Sequence, residues 1–172
     1  APRAKRLRTL LFCTSFCGDA AAWHDRQRRW LDHHLALPLE HDAVFVIDDA
    51  SPYVPADPDV LALDALPPAL PAGPRAFFYR FATREGRIGL TGHRGWWRSF
   101  LFSLEIARAY GFERIVHVES DAFLLTRRIV DRINAFFANT TPDRGLLSLP
   151  TGAGKTHVVV EAESDWERAM VK

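Results

Sequence analysis

Ala43-Val-Phe-Val-Ile47 runs without a break into Asp48-Asp49-Ala50-Ser51-Pro52. Apolar, mostly β-branched or aromatic side chains occupy both alternating faces of the first five residues, as in a parallel strand covered on both sides. The acidic turn residues then end the strand. Upstream, residues 9–16 form a second apolar run closing on Gly18-Asp19, and Asp19 is placed to cap a helix over 20–37 that Pro38 stops. Downstream, seven of the eleven prolines fall within residues 50–74, which predicts a surface loop with one helical turn near 60–66. A strand follows at 75–81 and a glycine-bearing loop at 84–91. Trp97, Phe100, Leu101, Leu104 and Ala107 keep the i, i+3, i+4, i+7 spacing of an amphipathic helix over 94–110, closed by Gly111. Arg114-Ile-Val-His-Val118 reads as the next strand, ending in Glu119-Ser120-Asp121. Thr126 then caps a helix burying Ile129, Val130, Ile133, Phe136 and Phe137, and residues 145–149 make a fifth strand. Strands alternating with helices predict an α/β fold whose mostly parallel sheet carries helices on both faces.

At 172 residues the chain has room for one domain with a single core. Its 48% hydrophobic and 25% charged residues exclude wholesale disorder, a collagen repeat and a disulfide mini-scaffold. A formal net charge of +1 provides no global field to draw in a nucleic acid or an anionic membrane, so no nucleic-acid partner is expected. No apolar run reaches the roughly 18–20 residues of a transmembrane span. Cys13 and Cys17 stand four apart in one apolar stretch, too far to bridge along an extended chain, and read as reduced packing residues. Basic residues 1–8, the apolar run and Ala20-Ala21-Ala22 have the outline of a secretory leader. Asp19 falls inside its would-be cleavage region, and a strand followed by a capped helix is the better reading. A cytoplasmic chain is expected.

Two strands end in clustered carboxylates, Asp48 and Asp49 after one, Glu119 and Asp121 after the other. In parallel sheets ligands gather at the carboxyl ends of strands. Alternation in Glu119-Ser120-Asp121 sends positions 119 and 121 to the same side, where hard oxygen donors can share one divalent cation. Such a cation holds a diphosphate and offsets the charge that develops as it leaves. Asp48 and Asp49 can accept hydrogen bonds from a base N–H or from ribose hydroxyls. The competing reading is plain turn chemistry, since Asp-Asp-Ala-Ser-Pro makes a good turn and Ser-Asp a good cap.

Val46-Ile-Asp-Asp-Ala-Ser-Pro52 and Ile115-Val-His-Val-Glu-Ser-Asp121, with a Gly92-His-Arg-Gly95 loop and a long helix between them, resemble the donor half of GT-A-fold glycosyltransferases over about residues 8–138. The resemblance implies nucleoside contacts at Asp48 and Asp49. It also implies Mn²⁺ or Mg²⁺ on a sugar-nucleotide diphosphate, held at Asp121 with help from Glu119. It places Thr14 and Ser15 in a donor-binding loop and brings Arg94 toward the diphosphate. The donor would be a nucleotide-diphosphate sugar and the acceptor a glycan, lipid or protein. Glu119 stands where the family motif has its first Asp, and the stretch after the motif is shorter than the family's acceptor half, so the fold is expected to be incomplete at its C-terminus. Asp143, Glu161 and Glu163 are the acids available as a base, and nothing in the residues selects one.

Residues 1–149 are thus expected to form the nucleotide-sugar-binding domain and 150–172 an appended segment. Within it, Leu149-Pro-Thr-Gly-Ala-Gly-Lys-Thr156 resembles the nucleotide-binding motif of superfamily 2 helicases over about 25 residues. That likeness implies phosphates cradled by Gly152 and Gly154, Lys155 on the terminal phosphates and Thr156 on Mg²⁺, at the start of a helix over 156–169. Only 16 residues follow Thr156, too few for the later strand that ATP hydrolysis requires. Of the remaining polar residues, His117 reads as a core histidine. Arg26, Arg28 and Arg29 read as a solvated face, and Trp96 and Trp97 as core residues with a sugar-stacking platform as the alternative.

Overall fold

A computed structural model describes residues 7–89, 92–139, 146–150 and 156–161, with Asn139 and the last two stretches described by backbone alone. Strand β1 (Thr9–Ser15) leads into a continuous helical rod made of α1 (Ala20–Ala22), a π-helical stretch Trp23–Arg28 and α2 (Arg29–Ala36). The Asp19 side chain accepts from the Ala22 N–H at 2.8 Å, the cap expected from its position. Strands β2 (Ala43–Asp48), β3 (Val60–Leu63) and β4 (Ala76–Arg80) follow, then α3 (Arg94–Tyr110), β5 (Arg114–His117), α4 (Arg127–Asn139), β6 (Leu146–Pro150) and β7 (Thr156–Glu161).

All seven strands join one sheet in the order β3-β4-β2-β1-β5-β7-β6. The first five are mutually parallel, whereas β7 runs antiparallel to both β5 and β6. Alternation along the central strands divides the core in two. Leu11, Cys13, Val44 and Val46 pack with Trp23, Trp30 and Leu31 of the first helical rod and with Val130, Ile133 and Phe137 of α4. Leu10, Phe12, Phe45 and Ile47 pack on the other face with Phe100, Ile106, Ala107 and Tyr110 of α3. The expected α/β fold with helices on both faces is therefore present.

Three local expectations are corrected. The helical turn near 60–66 is strand β3, registered on β4 from Val60↔Ala76 to Leu63↔Tyr79. Four residues have little propensity of their own, and the open edge of β4 supplies the hydrogen bonds that decide their state. The helix over 156–169 is contradicted at its start, where Thr156–Glu161 is a strand. Its β-branched Val158-Val159-Val160 run pairs between β5 and β6, so Thr156 opens a strand and offers no helix N-terminus to a phosphate. Gly152, Gly154 and Lys155 lie outside the described residues.

The buried stripe of α3 is the third correction. Gly95, Ser99, Ser103 and Ala107, four apart, are buried together with Phe100, Ile106 and Tyr110, while Trp97 is 45% and Leu101 37% exposed. Small side chains at every fourth position let this helix lie close on β1 and β2. A rule that counts only large apolar residues rotates its inner face away from them.

Candidate functional site

From β1 the chain steps to β2 on one side of the sheet and later returns through α3 to β5 on the other. The carboxyl ends of β1 and β5 therefore flank the topological switch point, where the connections diverge and leave a crevice. A pocket of about 750 Å³ opens there, and its lining includes Thr14, Ser15 and Phe16 after β1, Asp49 after β2, and Glu119, Ser120 and Asp121 after β5. Arg84, Gly86 and Arg87 reach it from the loop after β4, Arg26 from the π-helical stretch, and His93, Trp96 and Trp97 from the start of α3.

The two upstream aspartates have different fates. Asp48 is fully buried and is not among the residues lining the pocket. Its two carboxylate oxygens accept from the Ser51 N–H and the Ser51 hydroxyl, both at 2.6 Å. The Ser51 oxygen in turn accepts from the Cys17 N–H at 2.6 Å. This Asx turn contains Ala50 in a left-handed conformation at φ 58°. Burial pushes the Asp48 carboxyl above the usual carboxylate range, opposed by its hydrogen bonds with Ser51 and Ser15 and by the charge of Arg80. Asp48 holds the turn together from beneath the pocket lining.

Asp49 does line the pocket, but its carboxylate is already engaged. It accepts from Glu85 N–H at 3.2 Å and Gly86 N–H at 2.7 Å, and it is ion-paired with Arg98. A methyl group at Gly95 would overlap that carboxylate, so the glycine is what lets α3 start against it. Gly95 also donates its N–H to the Gly86 carbonyl at 2.9 Å. Asp49 thus pins the loop after β4 to the start of α3 while lining the pocket.

Glu119 is held in place by neutral donors. Its Oε1 accepts from Trp96 Nε1 at 2.8 Å and its Oε2 from the Thr14 hydroxyl at 3.3 Å, with His117 Nε2 3.8 Å from Oε2. The Trp96 ring lies flat against Phe100 at 4.9 Å, which sets the direction of its N–H. An ionised carboxylate oxygen can accept more than one bond, so these contacts leave capacity for a cation. Asp121 is exposed at the same pocket. Among the described residues no three His, Cys, Asp or Glu side chains form a group that could hold a metal. Glu119 and Asp121 are carboxylates of the type that binds a magnesium- or manganese-type ion, which keeps substrate phosphate and water oxygens as its other ligands.

No family model matches this chain. Comparisons with curated proteins and with solved structures also found no match.

The structure thus brings Thr14, Ser15, Asp49, Glu119 and Asp121 to one pocket and leaves Asp48 beneath it. Arg94 is exposed on the first turn of α3 and does not line the pocket. Glu161 pairs in register with Arg114 at the amino end of β5, the end of the strand away from Glu119. This removes it as a base for the pocket, while Asp143 and Glu163 lie outside the described residues. Cys13 is buried and its thiol is pushed well up by burial first, then by Glu119 and Asp48, which makes it inert. Sequence reasoning missed Arg98 as the partner of Asp49, Trp96 as a donor to Glu119, and Arg84, Arg87 and Phe16 as lining residues. Arg26, read as part of a solvated face, is exposed and also lines the pocket. No spacing rule relates these positions, which meet only through the sheet. Among the described residues no helix is long and apolar enough to cross a membrane.

Proposed function

We propose that this chain binds a nucleotide-diphosphate sugar at the switch-point pocket and transfers its sugar to a glycan, lipid or protein acceptor. The observation that carries the reading is the meeting of Glu119 and Asp121 with the β1 end in one pocket of about 750 Å³, a size suited to a small-molecule ligand. Asp121 and Glu119 would hold Mn²⁺ or Mg²⁺ against the diphosphate. That cation supplies charge neutralisation as the nucleoside diphosphate departs. The chain's own residues orient the site, because Trp96 and Thr14 donate to the two oxygens of Glu119, and Asp121 is exposed at the same pocket. In the transfer the bond between the anomeric carbon and the diphosphate oxygen breaks. An acceptor oxygen forms the new bond to that carbon and gives up its proton to a general base at the pocket.

Calorimetric titration with UDP-glucose, UDP-N-acetylglucosamine and GDP-mannose, with and without Mn²⁺, tests the reading. Binding of at least one donor that strengthens with Mn²⁺ and is lost in Asp121→Ala is expected. Absence of binding by any sugar nucleotide, or binding indifferent to both Mn²⁺ and Asp121→Ala, overturns it. Donor binding without release of free nucleoside diphosphate in the presence of acceptors would narrow the function to a non-catalytic nucleotide-binding domain.

A further inference from the structure

Arg84 lies on an exposed loop, where a long cationic side chain would ordinarily be left to solvent. Instead its guanidinium sits over the ring of Phe16, 3.8 Å from the centroid, and both residues line the switch-point pocket. A guanidinium held over an aromatic ring keeps in-plane N–H donors available for a further partner. Among the described residues those donors have no hydrogen-bond or ion-pair partner. The nearby carboxylate of Asp49 is taken by Arg98, and Glu119 is engaged by Trp96 and Thr14. The backbone carrying Arg84 is itself anchored, since Glu85 and Gly86 donate to Asp49 and Gly86 accepts from Gly95.

An ordered guanidinium with an unused planar edge, in a pocket, is suited to bidentate recognition of a phosphoryl group. We propose that Arg84, presented by Phe16, is the phosphate-reading residue of this pocket and that Arg26, from the π-helical wall, adds a second positive charge. It would take phosphoryl oxygens without a metal, so a pyrophosphate group could be held by arginine as well as by a cation at Asp121. This inference deepens the proposed function and rests on it for the identity of the whole ligand, but the phosphate site itself can be tested apart from it.

The test is titration of the intact chain with inorganic pyrophosphate in EDTA, followed by the same sugar nucleotides with Mn²⁺. Metal-free pyrophosphate binding that weakens with added salt and falls about tenfold or more in Arg84→Gln is expected. Arg84→Lys is expected to restore only part of the affinity, because lysine offers a point charge and no fork. Thermal melting of both variants should stay close to that of the parent, since Arg84 is exposed and only its surface contact with Phe16 is changed. No pyrophosphate binding in EDTA, equal affinity in Arg84→Gln, or full recovery in Arg84→Lys would overturn the assignment. Sugar-nucleotide binding untouched by Arg84→Gln would sink the arginine and leave the proposed function standing. Pyrophosphate binding through Arg84 with no affinity for any sugar nucleotide would do the reverse.

Discussion

Asp48 and Asp49 are adjacent in the chain and alike in chemistry, yet one is structural ballast below the pocket and the other anchors its rim. A single peptide step separates the two outcomes, because Asp48 is the last residue of β2 and Asp49 the first beyond it. Removing Asp48 leaves the Ser51 N–H buried without its acceptor and the Ser51 hydroxyl without its own. Asp48→Ala should therefore destabilise the fold by about 2–3 kcal/mol, read by urea unfolding, with Asp48→Asn costing less. A loss below the error of the measurement would show that the Asx turn contributes little. The raised carboxyl of Asp48 also fixes a sign. Its folded value lies above the unfolded one, so its contribution is fully present below about pH 3.9 and is lost as pH rises through the folded value. The hydrogen bonds to both of its oxygens oppose that rise of the carboxyl. Of all this, only the presence of a turn was legible from Asp-Asp-Ala-Ser-Pro. Which aspartate faces the pocket depends on Arg98 and Gly95, which lie more than forty residues away in the chain.

Among the elements, the π-helical stretch shows how a local irregularity is tied down. Trp23 Nε1 donates to Asp57 at 2.8 Å, and Arg28 at the end of the stretch donates to Asp59 at 2.8 Å and pairs with Asp32 one turn on. The helical rod is thereby fastened to the proline-rich segment before β3. The hydrogen bonds from Arg28 hold the carboxyls of Asp32 and Asp59 below their usual range. Groups lowered in this way contribute stability above the unfolded value, near pH 3.9, and lose it as pH falls through the folded value. Arg28→Ala should lower stability at pH 7 by about 1 kcal/mol and flatten the loss of stability between pH 4 and 2. Urea midpoints measured across that range check it, and parallel acid limbs for parent and variant would refute the coupling. Helix α3 makes the complementary point. Its span from 94 to 110 was readable from apolar spacing and Gly111, but its buried face was not, because Ser99 and Ser103 look polar and are chosen for their small size.

At the scale of the molecule, the site is a consequence of strand order. With β2 on one side of β1 and β5 on the other, the ends of β1 and β5 border the switch-point crevice. A ligand bound there touches residues after β1, β2, β4 and β5 and should stabilise the whole domain. At a concentration one hundred times its dissociation constant the gain is about 2.7 kcal/mol. For a domain of this size that corresponds to a rise in melting temperature of roughly 5–10 °C. Scanning fluorimetry with sugar nucleotides and Mn²⁺ measures it, and an unchanged melting temperature at saturating ligand would count against the pocket. The residues alone settled the alternating strands and helices, the cap at Asp19, the doubly covered sheet and the acidic strand ends, because each is written in contacts between near neighbours or in a short period. The strand at Thr156–Glu161, the inner face of α3, the burial of Asp48 and the gathering of Arg26, Arg84 and Phe16 were settled by folding. Each depends on which distant segment supplies the partner, and local spacing carries no record of that.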